Sequence, residues 1–98
     1  MIIAELAIFP TSEGASVSRY VKEVLKIIEK SGLNHETGGM STTIESPDLA
    51  SLFRVIEEAE RRLVAMKVKR IHIDLRIDHR LDKEATIKTK LAALGLKK

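Results

Sequence analysis

The order in which the hydrophobic period changes along the chain constrains the fold more than any other feature. Two-residue alternation over residues 2–9 gives way to three- and four-residue spacing at Val17, Tyr20, Val21, Val24, Leu25 and Ile28. Two short alternating runs follow, then a second helical stretch, then a long alternation over residues 68–80, with a small helix appended. A β-α-β-β-α-β order within 98 residues predicts an α+β, ferredoxin-like sandwich over a single domain, residues 1–98. Its antiparallel sheet carries two helices on one face and leaves the other face bare.

The first strand is apolar on both faces apart from Glu5, so it is expected at the centre of the sheet with Glu5 in an enclosed place. Pro10 ends its pairing, and Ser16 or Ser18 is placed to cap the first helix. Gly32 stops that helix from the left-handed conformation. Residues 33–37 and 40–45 read as a hairpin around Gly38 and Gly39, where positive φ is expected. Ser46-Pro47-Asp48 starts the second helix with Ser46 as cap. That helix runs to about Lys67 and buries Leu49, Leu52, Phe53, Ile56, Ala59, Leu63 and Met66. In the last strand Ile71, Ile73, Leu75 and Ile77 point to the helices, while Arg70, His72, Asp74, Arg76 and Asp78 point to the bare face. Asp82 is expected to cap the short final helix.

Composition excludes several function classes. There are no cysteines, so disulfide and thiol chemistry are out. No segment approaches the roughly 20 apolar residues of a membrane span, and the chain opens directly in a strand pattern, so the expected location is the cytoplasm. The formal charge of +3 comes largely from Lys83, Lys88, Lys90, Lys97 and Lys98 against Glu84, a solvated surface. Nucleic acid is an unfavoured partner because a ferredoxin-like sheet stacks bases on aromatic side chains. Only Phe9, Tyr20 and Phe53 are available, the last two in helical patterns. His72 and Asp74 share a strand face, but His35 and His79 lie elsewhere, and two ligands do not make a metal site. No nucleophile elbow or phosphate-cradling glycine loop is present, so no catalytic residue is assigned. A chain this short gains from burying more surface by self-association.

The opening M-I-I-A-E-L-A-I-F-P, the hairpin G-G-M-S-T-T-I-E and the later R-I-D-H-R, in that order and spacing, resemble the small thiamine-binding protein family over essentially all 98 residues. The resemblance implies subunits paired edge to edge into extended sheets, and two such dimers packed by their bare faces into a tetramer. It also implies binding of thiamine or its hydroxymethylpyrimidine part without catalysis. Where the family usually has Met-Gly-Thr, this chain has Met40-Ser41-Thr42, which adds a hydroxymethyl group beside the expected pocket.

A thiazolium cation and an aminopyrimidine call for carboxylates, an apolar surface and hydrogen-bonding groups. Glu5, Glu45 and Asp74 are the candidate carboxylates, Phe9 the ring contact, and Ser41 and Thr43 the hydroxyls. His72, Arg76, Asp78 and Arg80 are candidates for interface or site support. Structural roles compete at each position. Glu5 pairs equally well with Arg76 or His72 across a subunit contact, Glu45 can add negative charge to the start of the helix after Pro47, and Met40 reads as core. The expected function is a non-enzymatic carrier or sensor of thiamine or a related pyrimidine, with no cofactor beyond that ligand. The alternatives are an allosteric regulatory module for another small metabolite and a purely structural assembly module.

Overall fold

The computed structural model describes residues 1–96; Lys97 and Lys98 of the basic cluster lie outside the described residues. The elements are β1 (Ile2–Pro10), α1 (Ser18–Lys30), β2 (His35–Thr37), β3 (Thr42–Ser46), α2 (Leu49–Ala65), β4 (Ile71–His79) and α3 (Ile87–Ala93). The strands form one sheet in the order β2-β3-β1-β4, and every neighbouring pair is antiparallel. This is the α+β arrangement expected from the periods. β1 takes a central place, as a strand apolar on both faces must. Among the described residues no helix is long and apolar enough to cross a membrane.

The core lies between the sheet and the first two helices. Ile2, Ala4, Leu6 and Ile8 of β1 and Ile44 of β3 meet Tyr20, Val24 and Ile28 of α1 and Leu52, Val55, Ala59 and Leu63 of α2. Each large aliphatic side chain buried there contributes about 1.5–3 kcal/mol. Arg62 of α2 ties the helices together on the outside by donating from Nε and Nη2 to Glu23 Oε1 at 3.0 and 2.9 Å.

β4 departs from expectation. It is an edge strand, and the helices pack chiefly over β1 and β3, so that Ile71 and Leu75 alone of its helix-side isoleucines and leucine pack against the core. Ile73 and Ile77 are therefore 40% and 41% exposed although they point to the helix side. In α2, Leu49 and Phe53 are likewise exposed, and Val55 takes the buried position that spacing alone assigned to a neighbour.

Several helix and turn ends also differ. Val17 occupies the N-cap of α1 without a side-chain hydrogen bond, so neither Ser16 nor Ser18 caps it. Asp48 caps α2: its Oδ1 accepts from the Ser51 N–H at 2.7 Å, and this bond holds the carboxyl below its usual range. Ser46 instead ends β3 and donates its hydroxyl to the Asp48 carbonyl at 2.7 Å. Pro10 still stands opposite Ile71. The hairpin turns through residues 38–41, closed by the Gly38 N–H donating to the Ser41 carbonyl at 2.9 Å. A connection of that length needs no left-handed residue, and neither Gly38 nor Gly39 has positive φ. Thr86, paired with Thr89 in a capping box, starts α3, whereas Asp82 is bound by Arg80. Gly32 does end α1 with a φ of 78°.

Leu63 is wholly buried between helices and sheet, so Leu63→Ala is expected to cost about 2–5 kcal/mol in denaturant unfolding with an unchanged slope. Gly32→Ala forces a Cβ into the left-handed region and is expected to cost roughly 1–2 kcal/mol in the same assay.

Candidate functional site

The strand register assembles the face turned away from α1 and α2. Thr43, Glu5 and Arg76 stand in one row across β3, β1 and β4; Ala7 and Asp74 form the next, and Phe9 and His72 the one after. In the opposite direction Glu45, Ile3 and Asp78 form a further row. Alternation along each strand puts all of these side chains on one face.

That face is bare only in part. α3 folds over the row of Glu45, Ile3 and Asp78. Glu45 is buried, and its carboxylate accepts from the Ile87 N–H at the start of α3 and from Asn34 Nδ2 at 3.1 Å. Lys90 of α3 donates to Asp78, and that bond, with the ammonium charge behind it, holds the Asp78 carboxyl below its ordinary value. Glu45 thus serves the start of α3, not that of α2. Arg80 is occupied by Asp82, to whose Oδ1 its Nε donates at 2.9 Å. Three of the ten candidate residues are therefore held in contacts around α3.

Beyond the reach of α3 a recess of about 220 Å³ opens on the sheet, lined by Glu5, Ala7, Met40, Ser41, Asp74 and Arg76. Glu5 is exposed within one copy, not enclosed, because its neighbours on this face, Ala7 and Thr43, are short. Among the described residues, the side chains of Glu5, Asp74 and Arg76 form no hydrogen bond or ion pair, even though Glu5 and Arg76 are cross-strand neighbours. Two carboxylates against one guanidinium leave the recess one negative charge in excess. Phe9 stands one row beyond Ala7 and Asp74, with its ring centroid 5.2 Å from that of His72. Thr43 stands between Glu5 and Glu36, half-buried.

Met40 was expected in the core, and Ala7 was not singled out in the sequence. Met40 is 91% exposed, because β3 starts only at Thr42 and leaves it on the hairpin loop instead of in the core. The alternation that put Glu5 on this face also put Ala7 there, but a methyl group carries no chemical signal. Among the described residues no three His, Asp or Glu side chains converge as a metal site would require. A larger groove, about 630 Å³, runs between β2 and α3 past His35, Glu36, Lys88 and Leu91. Its acidic side chain, Glu36, faces a groove that also carries Lys88, so it offers no excess negative charge.

An antiparallel sheet with two helices behind it and a small acidic recess in front defines a small α+β protein of the open-faced sandwich class. The chain belongs to the thiamine-binding protein family, whose model matches residues 4–95. A UPF0045 protein of Methanocaldococcus jannaschii is 42% identical over 94 residues, covering 96% of this chain and 92% of that one. The UPF0045 protein YqgV of Bacillus subtilis is 33% identical, with 97% and 95% covered. The crystal structure of a hypothetical protein of M. jannaschii superposes with a TM-score of 0.88 at 40% identity, covering 96% of this chain and 95% of the other. A Thermotoga maritima protein, described as a candidate thiamine biosynthesis or salvage protein, superposes with a TM-score of 0.81 at 22% identity over 95% and 97% of the two chains, a likeness of fold.

The tethers of α3 make two expectations. Glu45→Ala leaves the Ile87 N–H and the Asn34 amide without their acceptor, at a cost of about 1–3 kcal/mol, and amide exchange should speed up selectively in α3. A lowered Asp78 pKa means that its contribution is present above the unfolded aspartate value and fades as pH falls through the lower folded value. Exchange in α3 should therefore accelerate on the acid side of the ordinary aspartate range, and Asp78→Asn should flatten that dependence.

Proposed function

We propose that this chain binds thiamine or its hydroxymethylpyrimidine part between the open sheet faces of associated copies, as a carrier or sensor and without catalysing a reaction. The observation that carries this reading is that Glu5 and Asp74, whose carboxylates have no side-chain partner, line one recess together with Ser41 and Met40. Thiamine has one permanent positive charge, and the recess, after Arg76 is counted, has one negative charge in excess. Met40 and the nearby Phe9 offer polarisable surface to a flat ring. Membership of the thiamine-binding family supports the same ligand class.

The recess is shallow. Sites for small molecules bury roughly 70–90% of the ligand surface, and about 220 Å³ on an open sheet cannot do so alone. A second copy laid against this face would supply the missing wall. Ile73 and Ile77, half-exposed on the helix side of edge strand β4, would add an apolar component to edge-to-edge association but not to packing of the open faces. His72 and Arg76 then act as support at the rim, and Asp78 and Arg80 hold the neighbouring segment in place.

Isothermal titration of the folded protein with thiamine should give saturable heat. Glu5→Gln, which keeps the shape but removes the charge, should weaken binding about tenfold, the scale of one charge-assisted hydrogen bond. Light scattering of the same samples should report more than one copy. Absence of heat from a correctly folded oligomer would instead favour a structural assembly role in which side chains of a second copy fill the recess.

A further inference from the structure

The edge of the sheet opposite β4 is the short strand β2, and its register fixes which backbone groups turn outward. The Glu45 N–H donates to the Asn34 carbonyl at 2.8 Å, and the Gly38 N–H donates to the Ser41 carbonyl at 2.9 Å. Bonded and non-bonded pairs alternate along an antiparallel ladder, so Glu36 and Thr43, midway between these two pairs, are also a bonded pair. His35 and Thr37 fall in the other set, and their N–H and C=O groups point away from β3. Among the described residues no backbone or side-chain group bonds to them. A row of this kind is a template for another extended chain.

The groove of about 630 Å³ between β2 and α3 lies directly beside this edge. Asn34 and Glu36 share the open face with Glu45 by alternation, and α3 supplies the far wall with Ile87, Leu91, Ala92 and Leu96. Lys88 stands on the same wall and has no carboxylate partner among the described residues. The groove shares no lining residue with the acidic recess.

We propose that β2 and α3 form a docking site for an extended peptide segment of another protein, added as a fifth strand beside β2. Main-chain bonds to His35 and Thr37 hold the segment, and every second side chain enters the groove. The wall of α3 selects apolar side chains two positions apart, and Lys88 selects an acidic one next in the same alternation. The ladder is short, so the groove supplies the specificity. A second copy of this chain fits poorly here: two-fold pairing through His35 and Thr37 of both copies sets Glu36 directly opposite Glu36, and like charges so placed repel. This surface goes beyond the thiamine reading and does not depend on it.

The test titrates isotope-labelled protein with the peptide acetyl-Thr-Leu-Thr-Leu-Thr-Glu-amide, followed by NMR. Saturable shifts are expected at residues 34–37 and 87–92, and the His35 and Thr37 amides should become protected from exchange. Thr37→Pro removes an outward N–H and keeps every ladder bond, a change that sheet edges tolerate; it should weaken the peptide about fivefold or more. Leu91→Lys, half-buried on α3, should weaken it by a similar factor, and either variant suffices if circular dichroism shows the other unfolded. Replacing the peptide's glutamate by lysine should also weaken binding, while the heat of thiamine titration stays the same in both protein variants. No shifts up to millimolar peptide, shifts confined to β4, or equal affinity in both folded variants would overturn the site. Equal affinity for the lysine peptide would overturn the part given to Lys88. A change in oligomeric state of Thr37→Pro by light scattering would assign the edge to a second copy and overturn the proposal.

Discussion

The unequal pairing of β1 organises this molecule. The strand is held by β4 along its full length, but by β3 over only its first five positions. At the end where three strands run together, the sheet is continuous and α3 closes over its open face. At the other end the hairpin turns away early. The acidic recess opens there. One register thus divides the sheet into an end that stabilises and an end that is free to bind.

Charge follows the same division. Glu45 and Asp78 are committed to α3, the first by accepting hydrogen bonds while buried and the second by an exposed pair with Lys90. A buried carboxylate without such donors would be costly, which explains why Glu45 is found where a helix start and an amide converge. Glu5 and Asp74 have no such commitment. Exposed pairs on the helix side, such as Arg62 with Glu23, are screened by solvent and contribute little, so the fold rests on the aliphatic layer between sheet and helices.

Much of this was legible in the residues. A strand apolar on both faces must be central, and β1 is; the two-residue period puts Glu5 on the side of Ala7 and Phe9, and Asp74 on that of His72 and Arg76. What could not be read was how the two sets align, since register depends on where each strand stops. Thr42, not Met40, begins β3, and that shift of two residues moves Met40 from the core to the rim of the recess. Glu45 was seen as a carboxylate near a helix start, but the helix it serves lies about forty positions further on. Ile73 and Ile77 follow the core pattern perfectly and are still half-exposed, because periodicity reports the direction of a side chain and not whether anything packs against it.

The amino-acid sequence by itself determined the element order, the face of each strand and the centrality of β1, because these follow from the local spacing of apolar side chains and from the entropy of burying them once. The tertiary structure alone decided which carboxylates remain free, where the sheet breaks and how far the open face is covered. Those properties arise between segments distant in the chain, through hydrogen bonds and contacts whose partners no local pattern specifies.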